Sequence, residues 1–151
     1  MKYAYYTTKL GIIEISYDNS IESLRVVENI NHKDSRNHIT DKAYIEILEY
    51  LYYKRKIFDI NYDLKVTDFQ RKVLSEVSKI EYGHTKTYKE ISRSIGNEKA
   101  SRAVANAISK NPLWIVIPCH RVIGSDGKLR GYAGGLPMKK FLLDLEKNAT
   151  L

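Results

Sequence analysis

A single cysteine, three prolines and one tryptophan among 151 residues set the first limits. One thiol closes no internal disulfide, and Cys119 with four histidines lacks the paired C-x-x-C spacing of a zinc site. A reducing, cytosolic compartment is the expectation. Uninterrupted apolar runs span only a few residues, which excludes a membrane-spanning helix. The opening Met1–Tyr6 has neither the apolar core nor the small-residue cleavage pattern of a signal peptide, so no membrane partner is expected.

Acidic residues are also in deficit, 18 against 25 Lys and Arg, giving a formal charge of +7. The deficit is local. Residues 1–62 carry nine charges of each sign, whereas residues 63–151 carry sixteen basic and nine acidic side chains. A basic lobe beside a neutral one suits an anionic polymer, because each neutralised phosphate releases condensed counterions. The alternative is a charge that serves solubility alone. With 43% hydrophobic and 28% charged residues, the chain has enough apolar content for a core and is not disordered.

The order of elements predicts an α+β protein in two lobes, 1–62 and 63–151. Three short alternating segments, Lys2–Thr7, Ile12–Tyr17 and Ile21–Val27, read as a β-meander. Helical spacing of Tyr44, Ile45, Leu48, Leu51 and Tyr52 predicts a helix over Asp41–Lys54. This lobe reads as a scaffold without catalytic residues.

The second lobe is mostly helical. Thr67-Asp68-Phe69-Gln70 has the form of a capping box, followed by an apolar stripe of Phe69, Val73, Leu74, Val77 and Ile80 that ends at Tyr82-Gly83-His84. Thr87-Tyr88-Lys89-Glu90 is a second box, opening a helix that stops at Gly96. Asn97 can cap a third helix, about 98–109, so this pair has the grammar of a helix-turn-helix. Projection at 100° per residue puts Ala100, Ala103, Val104, Ala107 and Ile108 on one face. Arg102, Ala105, Asn106 and Ser109 fall on the other, a small polar face from which one Arg can reach a phosphate or a base stack.

The apolar run Ile115-Val116-Ile117 predicts a buried strand that delivers Pro118, Cys119, His120, Arg121, Val122 and Ile123. A lone Cys is usually inert, but an adjacent base or cation raises its thiolate fraction. Successive strand side chains point to opposite faces, so Cys119 and His120 need a water relay or a tight turn to communicate. A catalytic His usually needs a third group to fix its tautomer. The C-terminal helix opens at Pro137 and turns Met138, Phe141, Leu142 and Leu145 to the core, with Glu146 flanking them and Asp144 on the polar side. Glu146 is therefore the better partner for His120 than Asp126 or Asp144; its alternative is a surface carboxylate near Lys139, Lys140 or Lys147. Between these pieces, Gly131-Tyr132-Ala133-Gly134-Gly135-Leu136 is a loop whose backbone can approach a ligand closely.

The run Ile117-Pro118-Cys119-His120-Arg121-Val122, with Asn111-Pro112 before it and the Gly131–Leu136 loop after it, closely resembles the O6-alkylguanine-DNA alkyltransferase family over about residues 63–148. The resemblance implies a single-turnover repair protein that flips an O6-alkylguanine out of duplex DNA and moves the alkyl group onto Cys119. It implies that His120 takes the thiol proton through a water, that Glu146 orients His120, and that Tyr88 donates near guanine N3. Asn111 would brace the turn around the site. For DNA it implies Arg102 in the vacated stack, with Ser101, Ala105, Tyr88 and Arg121 also at the interface. For the pocket it implies Pro118, Val122, Tyr132, Ala133 and Gly134, with carbonyls of Cys119 and Val122 reading the guanine amine and the Ala133 amide meeting O6. Ala133 replaces the Ser of some members, so only its backbone can act. No metal, no organic cofactor and no obligate protein partner are implied, and the protein is expected to be a monomer. Two readings from other classes stand beside it: a non-catalytic helix-turn-helix binding module, and a Cys-His hydrolase with a thioester intermediate.

Overall fold

A computed structural model describes residues 1–149. The chain divides into two compact units, Met1–Lys65 with Pro112–Val116, and Val66–Asn111 with the chain from Ile117 onward. The division thus falls three residues later than the composition suggests, and a short segment returns to the first unit.

In the first unit, β1 (Lys2–Thr8), β2 (Gly11–Tyr17) and β3 (Ile21–Val27) form an antiparallel sheet in the order β1-β2-β3. The period-2 alternation is realised: Ile13 faces Tyr6 across one ladder, and Ile15 faces Leu24 across the other. On the opposite side, buried Glu14 accepts from Tyr5 Oη at 2.9 Å and from Arg25 Nε at 3.1 Å, so its charge is met. The returning segment pairs with β3: Leu24 N–H donates to Pro112 O and Trp114 N–H to Leu24 O. Gly11 has φ +120° at the hairpin, a value side chains rarely adopt.

Helix α1 covers His38–Leu51 and not Asp41–Lys54. Asn37 accepts from Thr40 N–H and Thr40 Oγ1 accepts from Asn37 N–H, a capping box that starts the helix three residues early. At its other end Lys54 N–H returns to Glu49 O and Tyr53 N–H to Tyr50 O, a Schellman closure. The residue in the left-handed position is Tyr53, φ +65°, where glycine is usual, so no sequence signal marked the stop.

The second unit contains α2 (Asp68–Val77), β4 (Lys86–Thr87), α3 (Tyr88–Ser94), α4 (Ser101–Ser109), β5 (Val122–Ile123) and α5 (Leu136–Ala149). Both predicted capping boxes are present, at Thr67 with Gln70 and at Thr87 with Glu90. Helix α2 is shorter than expected, and Phe69, at its exposed first turn, is not part of the buried stripe. Gly96 takes φ +84° after α3. Asn97 does not cap α4: its carboxamide accepts from Lys99 N–H in a separate turn, and the helix begins at Ser101 without a side-chain cap. Val104, Ala107 and Ile108 are buried as projected, while Ala103 is exposed. Helix α4 packs on α2 and α3.

The predicted strand that runs from Ile115 into Pro118-Cys119-His120-Arg121 is replaced by turns. Ile115 has φ +74° and Val116 N–H bonds Trp114 O; Pro118 (φ −80°, ψ 61°) forms an inverse γ-turn closed by Cys119 N–H to Ile117 O at 2.8 Å. Pro118 has no N–H to give a ladder, so an apolar β-branched run ending there cannot continue as a central strand. After an isolated bridge at Ile117, strand pairing resumes at β5, parallel to β4, a two-strand sheet that periodicity did not reveal. Among the described residues no helix is long and apolar enough to cross a membrane.

Candidate active site

Cys119, His120 and Arg121 form one turn of 3₁₀-helix. Of the two routes open to Cys119 and His120, a water relay or a tight turn, the backbone supplies a turn, which places three adjacent side chains at about 120° to one another. Cys119 is 3% exposed, and burial pushes its thiol up to about 12, against the pull of a hydrogen bond from Asn111 and of the Lys139 charge. The resting sulfur is therefore a protonated thiol. Asn111 is itself buried and donates from Nδ2 to Ile117 O at 3.1 Å, bracing the turn from below.

His120 is fully buried, with Nε2 2.6 Å from Glu146 Oε2. Burial lowers its basicity, Glu146 raises it, and the Arg121 and Lys139 charges lower it again, so the ring is held neutral. Donation of Nε2–H to the carboxylate makes Nδ1 the accepting nitrogen. Glu146, the flanking residue of α5, is 1% exposed. Burial alone would raise its pKa, but hydrogen bonds from His120 and Arg121 and their positive charge hold the carboxyl at about 2. The surface-carboxylate alternative is thereby overturned.

Arg121 is not placed for DNA. It is 6% exposed, its Nε and Nη2 grip the two oxygens of Glu146 at 2.8 and 3.0 Å, and its Nη1 donates to Ile80 O at 2.7 Å. The bidentate fork satisfies guanidinium and carboxylate together where neither reaches water. Gly83 N–H also donates to Glu146 Oε1 at 3.0 Å.

Tyr88 opens α3, half-buried, and its hydroxyl lies 3.4 Å from Gly131 O. Burial raises its pKa, the neighbouring Cys119 adds to this, and Arg130 opposes it. Tyr132 is raised in the same way, by burial first and then by Cys119. Val122 is fully buried; Gly134 is half-buried and Ala133 exposed on the loop, which Gly135 (φ +92°) turns into α5. On α4, Arg102 is exposed, Ala105 half-buried, and Ser101 is tied to Ser92 at 3.3 Å. Among the described residues no three His, Cys, Asp or Glu side chains converge as metal ligands.

Lys139 was missed. It is wholly buried, and its ammonium donates to the carbonyls of Val122, Arg130 and Gly131. The signal existed: Lys139, Leu142 and Glu146 recur at i, i+3 and i+7 on α5, the buried face. Phe141, counted with that face, is 40% exposed.

A buried thiol beside a buried imidazole, itself hydrogen-bonded to a buried carboxylate, makes a Cys-His-Glu set of the class in which a thiol proton can pass to a buried base. Residues 68–148 match the family model described as 6-O-methylguanine DNA methyltransferase, DNA binding domain. A methylated-DNA–protein-cysteine methyltransferase of Methanosarcina barkeri is 56% identical over 95 residues, 63% of this chain and 60% of that relative. A probable methylated-DNA–protein-cysteine methyltransferase of Acanthamoeba polyphaga mimivirus is 39% identical over 99% of both chains. The crystal structure of Mycobacterium tuberculosis OGT in complex with DNA superposes with TM-score 0.91 at 36% identity, covering 99% of this chain and 94% of that one. The chain belongs to the O6-methylguanine-DNA methyltransferase family. It spans about three fifths of the length of several of the curated relatives it matches.

Proposed function

We propose that this chain reverses O6-alkylguanine damage, mainly O6-methylguanine in duplex DNA, by moving the alkyl group irreversibly onto Cys119 in one turnover. The observation that carries this reading is the buried series of Asn111, Cys119, His120 and Glu146, in which a protonated thiol has a neutral base within one residue. Substrate arrival couples to proton departure: the thiol proton passes to His120 Nδ1, through a water, and Glu146 stabilises the imidazolium. Sulfur then attacks the alkyl carbon in line with O6. The S–C bond forms as the C–O6 bond breaks, and its electron pair stays with guanine. Tyr88, restrained from ionising, donates at N3 to stabilise the departing base, which regains its proton from solvent. The product is a thioether and intact guanine, so no cofactor enters.

The base must leave the stack at a cost of about a few kcal/mol. Helix α4 suits this task from the minor groove, with Arg102 filling the gap, and Ser101 and Ala105 allowing close approach. Pro118, Val122, Tyr132, Ala133 and Gly134 would then enclose the flipped base. Carbonyls of Cys119 and Val122 would read its amine, that of Val122 while also accepting from Lys139. The protein acts as a monomer in a reducing cytosol, where its thiol stays unoxidised.

The deciding experiment is intact-protein mass spectrometry after incubation with a duplex bearing one O6-methylguanine, beside Cys119→Ser and an undamaged duplex. A stoichiometric methyl gain that needs both lesion and Cys119 is expected. Tight DNA binding with unchanged mass and a reduced thiol would favour the binding module, and turnover of acyl substrates the hydrolase. A second prediction concerns Arg102→Ala: repair slows on duplex but hardly on free O6-methylguanine base, because only the duplex requires flipping. Equal losses on both substrates would remove Arg102 from that role.

A further inference from the structure

A lysine is almost never fully buried unless its charge is met, and Lys139 has no exposed surface. Its three N–H donors meet three backbone carbonyls: Val122 at 2.5 Å, Arg130 at 2.8 Å and Gly131 at 3.4 Å. The ammonium also lies 5.7 Å from the centre of the Tyr88 ring, and Tyr88 Oη in turn contacts Gly131 O. One cation thus bridges β5, directly after the Cys-His-Arg turn, the glycine loop, and the first residue of α3. Cys119 and His120 from the turn and Tyr88 from α3 are the titratable groups that face it. Packing alone is a poor reason for this arrangement, since a buried ion can often be exchanged for an apolar side chain without loss of stability.

We propose that Lys139 is a positioning residue: its ammonium ties the Val122 carbonyl to the Arg130 and Gly131 carbonyls and so fixes the pocket wall that carries Tyr88. The inference rests on the alkyl-transfer reading above. It has a consequence in pH, because burial brings Lys139 down to about 8. Above that pH the amine keeps two N–H donors for three carbonyls and loses its charge, so the wall loosens.

The test is single-turnover repair of an O6-methylguanine duplex across about pH 6–10, with hydrogen exchange at Tyr132, Ala133 and Gly134, for wild type, Lys139→Met and Lys139→Arg. In the wild type, the rate and the loop protection are expected to fall together above about pH 8. Lys139→Met is expected to be about tenfold or more slower near neutrality, to lack the alkaline limb, and to exchange faster at the loop, with melting changed by only a few degrees. Lys139→Arg, charged throughout, carries the limb to higher pH. Wild-type rate with an intact limb in Lys139→Met overturns the inference. If the variants do not fold, loop protection in the wild type that stays constant through the alkaline range overturns it as well. A wild type that transfers no methyl sinks the alkyl-transfer reading instead, and is told apart by its unchanged mass.

Discussion

Glu146→Gln is expected to destabilise the protein by about 3–5 kcal/mol in urea unfolding, because it leaves the buried Arg121 guanidinium without its counter-charge. The side chain keeps its size but exchanges one accepting oxygen for an NH2 that faces other donors, so the loss reports charge and hydrogen-bond acceptance and not volume. Acid titration supplies the matching control. Glu146 ionises at about 2 in the folded chain against an ordinary 4.5. Its folded pKa is depressed, so its stabilisation is complete above about 4.5 and disappears as pH falls toward 2. Proton linkage over that interval is worth about 3 kcal/mol. His120 acts with the same sign at higher pH: its folded pKa lies below the usual 6.5, and the unfolded chain takes up its proton first on acidification. Wild-type stability should therefore decline from about pH 6.5 and steepen below 4.5, and the steep part should be missing in Glu146→Gln. Parallel pH profiles for the two proteins would mean that the carboxylate is not ionised as its partners require.

His120→Gln has the largest expected effect on chemistry. Removal of a general base typically costs about 10²–10⁴-fold in rate. Here the thiol is pushed up to about 12 by burial, so without His120 almost no sulfur is ionised at neutral pH and the loss should fall toward the upper end. The methyl-transfer rate, followed by quenched single-turnover mass spectrometry, should fall accordingly, while lesion-DNA affinity measured by fluorescence anisotropy stays unchanged. Raising the pH from about 7 toward 8, short of the range in which Lys139 loses its charge, should recover part of the rate, because hydroxide then takes over the deprotonation. A variant that transfers methyl at the wild-type rate would show that some other group receives the proton.

Local chemistry in the chain determined a good deal. The boxes at Thr67 and Thr87, the left-handed Gly96 and the alternation in β1 to β3 depend on residues within a few positions of one another, and each formed where expected. Helix α1 shows the limit of such reading. Its start lay in Asn37 and Thr40, but a tyrosine ended it in a conformation that glycine usually marks. The choice of Glu146 over Asp144 also followed from helical phase alone, because a face determines who can reach the core.

What only the tertiary structure decided is which charge meets which. Arg121 could have faced solvent and phosphate; 25 residues further along, Glu146 draws it inward, and Ile80 O and Gly83 N–H complete the cluster. Lys139 looked like a surface lysine because lysine is rarely buried, and its partners are carbonyls, which every residue carries and no sequence pattern displays. The run Ile115–Ile117 has the composition of a strand, yet a strand exists only where a neighbour offers a ladder, and Pro118 turns the chain before one can form. Sequence therefore determined the candidate thiol, the imidazole beside it and most of the helices around them. Long-range pairing of buried charges and backbone carbonyls, which has no local period, determined how those groups are held.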